Sequence, residues 1–188
     1  IPCSMRIITG RFRGRRLKAF SGDHLRPTTD RVKESLFNKL MFFFPGAHVL
    51  DLFSGTGNLS IESLSRGAEL VVAVEKNPKS LRIIKDNLRS FDVENEVQLH
   101  SLDVFRFLKN IEPESFDVVL ADPPFTQKIA HDVMWAIADS CVLRPGGRVA
   151  IESSQQERID DIYGPLMLLD RKNFGDKNLS FFVYKGRE

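Results

Sequence analysis

No apolar run in this chain of 188 residues approaches the roughly 20 residues that a bilayer span requires. The most apolar local stretch, Leu40 to Phe44, is far shorter. No secretory signal is visible, and the four residues before Met5 read as a cloning remnant with Met5 as the native start. There are only two cysteines, Cys3 and Cys141. With Cys3 set aside, the remaining one makes neither an intrachain disulfide nor a zinc cage, which fits a reducing cytoplasm. Cys141 itself reads as a small buried hydrophobe. The four histidines, His24, His48, His100 and His131, lack metal-ligand spacing and read as surface or packing residues, so no metal is expected. No Gly-Lys-Ser/Thr follows the one glycine-rich loop, which excludes a Walker A site. Internal repeats, low-complexity segments and long linkers are also missing.

What is present is ordinary in amount and uneven in distribution. An apolar fraction of 42% and a charged fraction of 28% suit one globular domain with a full core. Residues 1–33 carry nine basic and two acidic side chains, and the remainder carries 18 basic and 23 acidic ones. A basic arm on a mildly acidic body suggests a polyanionic partner, although a solvated basic hairpin would look the same.

Met5 to Phe20 reads as a β-hairpin turning through the arginine-rich Gly10 to Gly14 stretch. Thr29 or Asp30 can cap a helix to about Phe43, with Val32, Leu36, Leu40 and Phe44 on one face. From Ala47 the texture becomes strand–helix units. Strands are predicted at 48–53, 70–74, 96–100, 116–121 and 148–151, and helices at 58–66, from Pro78 to about Phe91, 104–109 and 127–140. Val133, Trp135 and Ile137 are core candidates on the last of these. A short helix is predicted around 155–163, then a hairpin of 166–174 and 179–185. Alternating helices and apolar strands imply right-handed crossovers and a mostly parallel sheet, with the closing hairpin as an antiparallel edge.

Chemistry concentrates at strand ends, where ligands bind in open α/β sheets. Strand 116–121 runs into Asp122-Pro123-Pro124-Phe125. The prolines stop the ladder, leaving a carboxylate, a rigid carbonyl and an aromatic ring together. Asp122 and the Pro123 carbonyl can accept the N–H bonds of a nucleobase amine and aim its lone pair, while Phe125 offers a stacking face. The first strand ends in Asp51-Leu-Phe53-Ser54-Gly55-Thr56-Gly57, followed by a helix. Ser60 stands where a dinucleotide fingerprint needs its third glycine. Asp51 at the loop would repel a pyrophosphate and attract an ammonium, which favours S-adenosylmethionine over NAD. Glu75, with Lys76 after it, lies near the spacing expected of an acid that accepts ribose hydroxyls. Asp103, before Val104, can take an adenine amino group, cap the next helix, or do both.

These motifs resemble those of class I S-adenosylmethionine-dependent amino methyltransferases. The resemblance narrows to the bacterial 16S ribosomal RNA guanine-N2 methyltransferases of the RsmD type through Arg26-Pro-Thr-Thr-Asp-Arg-Val-Lys-Glu-Ser-Leu-Phe-Asn38, Ser65-Arg-Gly-Ala68 and Phe174-Gly-Asp-Lys-Asn-Leu-Ser180. It covers nearly the whole chain after Met5. The aromatic of the Asp-Pro-Pro motif is Phe125 where that family often has tyrosine, and Phe174 and Lys177-Asn178 also depart from its usual late motif.

The resemblance implies a Rossmann-like, doubly wound α/β fold of seven strands with an antiparallel edge. Residues 5–45 would be a basic hairpin-and-helix extension, and 46–188 the methyltransferase domain. It implies that Asp122, Pro123 and Phe125 act on the base. The cofactor would be held by Asp51, Phe53, Ser54, Gly55, Thr56, Gly57, Glu75, Lys76, Asp103 and Val104. Arg26, Thr28 and Thr29 would lie over the cofactor or the base, and Arg11, Arg13, Arg15 and Arg16 would grip RNA. A cytoplasmic monomer acting on ribosomal RNA or a small-subunit particle is the expectation. The rivals are adenine N6 in RNA or DNA, a protein glutamine amide, and a non-catalytic RNA-binding module on the same fold.

Overall fold

The computed structural model describes residues 5–20 and 30–186. Eight strands form one sheet: β1 (His48–Leu52), β2 (Leu70–Val74), β3 (Val97–His100), β4 (Phe116–Ala121), β5 (Leu143–Ser154), β6 (Ile162–Tyr163), β7 (Leu166–Phe174) and β8 (Lys177–Tyr184). Their order is β3-β2-β1-β4-β5-β8-β7-β6. The first five are parallel, and β8, β7 and β6 are antiparallel additions. The eighth strand, beyond the seven expected, is the two-residue β6. Parallel strands buried on both faces must be apolar throughout, and the β2 sequence Leu-Val-Val-Ala-Val shows it.

The helices divide between the two faces. On one side α1 (Asp30–Lys39), α2 (Asn58–Ser65) and α3 (Pro78–Ser90) pack with the N-terminal hairpin, and Met5, Ile7 and Leu17 join the core formed by Val49, Val71 and Leu120. On the other, α4 (Val104–Leu108) and α5 (Ala130–Ser140) cover Leu50, Val72 and Val119. Among the described residues no helix is long and apolar enough to cross a membrane.

The hairpin forms as predicted, with Ile7 N–H bonded to the Arg15 carbonyl and Leu17 N–H to that of Met5. A buried charge cluster pins it. The Glu62 carboxylate on α2 accepts the N–H groups of Ile8 and Thr9, at 2.8 and 3.1 Å. Glu62 also pairs with Arg66 at 2.9 Å and Lys33 at 3.3 Å. A charge hidden this deeply is tolerable because each lone pair has a donor.

Several boundaries depart from expectation. The helix predicted at 155–163 does not form. There Glu157 accepts the Ser154 and Ala130 N–H groups and the Tyr163 hydroxyl accepts that of Asp160, so side chains satisfy the backbone instead of a helical ladder. β5 starts at Leu143, not Arg148, with an irregularity where it meets β4. α5 starts at Ala130 because Phe125–Gln127 forms a 3-10 turn and Lys128 takes a left-handed backbone (φ 51°). α1 ends at Lys39, followed by a 3-10 turn at Met41–Phe43. Trp135 is not core: it is 42% exposed and meets Tyr163 edge-on, since it falls on the opposite helix face from the buried Val133 and Ile137. Cys141 is buried, as expected.

Candidate active site

The carboxyl ends of β1, β4 and β5 converge on one region, and alternation puts their polar residues on one side. Val49, Leu120, Ala150 and Leu179 share the core beneath α1 and α2. Two residues further toward the carboxyl edge along each strand stand Asp51, Asp122, Glu152 and, on antiparallel β8, Lys177. A diagonal of charged side chains therefore crosses four adjacent strands.

Asp51 is 1% exposed. One carboxylate oxygen accepts the Ser60 hydroxyl at 2.5 Å. The other, Oδ1, is buried with no hydrogen-bond partner. Burial pushes its pKa up to about 7, the Ser60 bond acts against the shift, and Glu75 adds to it. Such an oxygen calls for a cationic or N–H donor from a ligand.

The loop after Asp51 is built for close approach. Phe53 holds a left-handed backbone at φ 63°. The Ser54 hydroxyl closes onto the Asp51 carbonyl at 2.8 Å. Gly57 has φ 81°, and a Cβ there would lie 2.7 Å from Ile84 of α3, so space and backbone both demand glycine. Gly55 also has positive φ, but its Cβ position is open. Thr56 is buried, with its carbonyl accepting Asn87 Nδ2 at 2.8 Å and its hydroxyl against the Met5 sulfur at 3.7 Å.

Glu75 follows β2 and turns back under this loop, accepting Gly55 N–H at 2.9 Å and Asn77 N–H at 2.8 Å, one on each oxygen. Asp103 caps α4 through the Phe105 and Arg106 N–H groups, and its other oxygen pairs with Lys76 at 3.0 Å. Partial desolvation opposes it, yet Lys76 and the cap hold this carboxyl below the usual range. Val104 is buried behind it. The capping role thus exists and fills one oxygen with two donors, while the oxygen paired with Lys76 keeps lone-pair capacity for a second.

At the end of β4, the Asp122 N–H reaches the Leu52 carbonyl at 3.5 Å, tying the Asp-Pro-Pro segment to the mouth of the glycine loop. Pro123 is buried and Phe125 half-buried. The Lys177 ammonium sits 4.5 Å from the Phe125 ring centroid and bonds Glu152 at 3.0 Å. Among the described residues no group of three or more His, Cys, Asp or Glu could hold a metal ion.

The arginine turn is elsewhere. Arg11 pairs with Glu96 at 2.6 Å and its N–H bonds the Ser65 carbonyl. The Arg15 guanidinium covers the Phe91 ring at 4.2 Å. Ser65 closes α2, Phe91 follows α3 and Glu96 precedes β3, so the turn lies at the amino-end edge of the parallel strands. A five-residue strand separates the two edges by about 17 Å. Arg13 and Arg16 are exposed there. Arg26, Thr28 and Thr29 lie outside the described residues.

The sequence does not mark Ser60, Glu152 or Lys177 as site residues, and Lys177 stands out there only as a departure from the family's late motif. Ser60 registered only as a missing glycine. Glu152 carried the same signal as Asp51 and Asp122, an acid closing an apolar strand, but the predicted strand ended one residue short of it.

The family described as Conserved hypothetical protein 95 matches residues 5–183. The chain is 36% identical over 157 residues to ribosomal RNA small subunit methyltransferase D of Haemophilus influenzae, covering 81% of this chain and 80% of that protein. It is 32% identical over 184 residues to YlbH of Bacillus subtilis, covering 97% and 100%. The solved structure of yhhF from Escherichia coli superposes with a TM-score of 0.84 at 27% identity, over 98% of this chain and 99% of that one. A mostly parallel sheet with an antiparallel edge, an Asp-Pro-Pro-Phe strand end and full-length relatives of this kind lead to one assignment: the chain belongs to the Conserved hypothetical protein 95 family, that of the RsmD-type ribosomal RNA methyltransferases.

Proposed function

We propose that the protein methylates small-subunit ribosomal RNA at the exocyclic N2 amine of a guanine, with S-adenosylmethionine as the methyl donor. The observation that carries this reading is Asp122-Pro-Pro-Phe125 tied through Leu52 to the end of the strand that holds the buried, half-partnered Asp51.

The residues fit the cofactor. The unmatched Asp51 oxygen suits an ammonium, Glu75 has acceptor capacity left for ribose hydroxyls, and Asp103 can serve the adenine side. Phe53, Ser54, Gly55, Thr56, Gly57, Lys76 and Val104 form the surrounding wall. When bound, S-adenosylmethionine supplies a methyl group already activated by its sulfonium.

The chain does the positioning. A guanine amine is a weak nucleophile because its lone pair delocalises into the ring. Asp122 and the Pro123 carbonyl accept its two N–H groups, which draws the nitrogen toward tetrahedral geometry. Asp122 is also the nearby carboxylate toward which the departing proton moves. Phe125 stacks the base outside its helix. Orientation in this frame supplies much of the rate.

The test is labelled methyl transfer to ribosomal RNA from cells lacking this protein, with the product nucleoside identified. N2-methylguanosine is the expected product. N6-methyladenosine would overturn the base assignment, and no incorporation into RNA or small-subunit particles would overturn the activity.

A further inference from the structure

A lysine beside a turn normally runs its stem along the surface and keeps its ammonium in water. Lys177 does the reverse. It opens β8 directly after the Gly175-Asp176 turn, yet it is only 5% exposed. Its ammonium bonds Glu152, itself 1% exposed, at 3.0 Å and faces the Phe125 ring at 4.5 Å. Stability alone is a weak reason for such a pair, because apolar replacements of buried ion pairs are often neutral or stabilising.

Phe125 lies outside the sheet, in a one-turn 3-10 segment whose Gln127 N–H bonds the Pro124 carbonyl. The ring is half-buried, and it belongs to the segment that carries Asp122.

We infer that Lys177, fixed by Glu152, is a positioning residue that orients Phe125 for the target base by occupying one face of its ring. The inference rests on Phe125 being the stacking ring of the proposed function. An ammonium over a ring centroid is attracted by the negative face of the π system and restricts rotation of the ring. The base is then confined to the opposite face. Because the ammonium draws ring electron density toward itself, that opposite face better matches an electron-rich purine. Glu152 performs the complementary task, since an unpaired buried ammonium would leave for solvent.

The experiment compares Lys177→Met, Lys177→Arg, the neutral pair Glu152→Gln with Lys177→Met, Phe125→Ala, and Phe125→Ala combined with Lys177→Met. Each is assayed for kcat and KM on ribosomal RNA, S-adenosylmethionine affinity and Tm. The neutral pair should keep Tm and cofactor affinity while kcat/KM for RNA falls about tenfold, the scale of a desolvated cation–π contact. Lys177→Arg, which keeps the cation, should recover most of that loss. In the Phe125→Ala background Lys177→Met should have no further effect, because its action passes through the ring.

A neutral pair with parental kcat/KM would overturn the inference. So would additive losses in the Phe125→Ala background, or Lys177→Arg performing no better than Lys177→Met. If the neutral pair is destabilised, the arginine comparison and the Phe125→Ala cycle still decide. Phe125→Ala without effect on kcat/KM would instead remove the stacking reading itself. A loss there with a silent neutral pair would remove only the role of Lys177.

Discussion

Both edges of the parallel sheet are rich in charge, and they use it differently. At the amino-end edge several of the charges are spent within the protein. Arg11 holds Glu96, Arg15 covers Phe91, and nearby Glu62 accepts donors from the hairpin, Arg66 and Lys33. At the carboxyl-end edge, valence is left over: Asp51 has a buried oxygen with no donor, each Glu75 oxygen takes one bond, and one Asp103 oxygen takes only Lys76 while the other is filled by the helix cap. Charge count does not distinguish a brace from a binding site. Unspent hydrogen-bonding capacity does.

The largest effect that tests this contrast is expected at Asp122. Asp122→Ala should cut methyl transfer about a thousandfold, the upper range for a lost group acting on the reacting atoms, while calorimetry finds S-adenosylmethionine affinity within a few-fold. Equal loss of both would make Asp122 part of the cofactor cradle. At the opposite edge, Glu62→Ala should cost about 3–5 kcal/mol in denaturant unfolding, because it leaves buried Lys33 without its carboxylate. A loss below about 1 kcal/mol would show that the cluster is not a brace.

Asp51 should give a pH signature. Its folded pKa of about 7 lies above the 3.8 of an unfolded carboxyl, so the folded state retains a proton that the unfolded state has lost. Stability from this group is therefore complete below about pH 4 and is lost as pH rises toward 7. The ligand's ammonium needs the ionised form, so S-adenosylmethionine affinity should weaken about tenfold per unit below pH 7. Asp51→Asn should flatten that dependence. A flat profile in the parent protein would remove Asp51 from the ammonium site. The smallest effect is expected at the arm, where Arg13→Gln with Arg16→Gln should reduce the salt slope of RNA binding by about one to two and leave kcat unchanged. An unchanged slope would make the arginine turn purely a brace.

Much of the parallel half was legible because buried strands are continuous apolar runs and their helices carry apolar stripes, as at Leu70–Val74 and Ile84–Leu88. The candidate site was legible where an acid closes such a run. Its second layer was not. Glu152 and Lys177 lie 25 residues apart, and only the antiparallel pairing of β5 with β8 brings them together. The region 155–163 misled because the spacing of Ile159, Ile162 and Tyr163 is compatible with a helix while Glu157 and Tyr163 supply side-chain bonds that compete with one. The basic arm was visible as charge, but charge has no direction in a sequence, and only the contacts of Arg11 and Arg15 reveal its edge.

Asn87 joins these two regions through one amide. Its oxygen accepts Lys18 N–H, and its nitrogen donates to the carbonyls of Lys18 and Thr56, with Thr56 inside the glycine loop. The returning strand of the hairpin and the glycine loop therefore share this fastening. A ligand that shifted the hairpin through this amide and so changed the loop's affinity for its own ligand would have its own affinity changed by the same factor. Asn87→Ala then reads out that factor, as the change in the ratio of RNA affinities measured with and without S-adenosylmethionine.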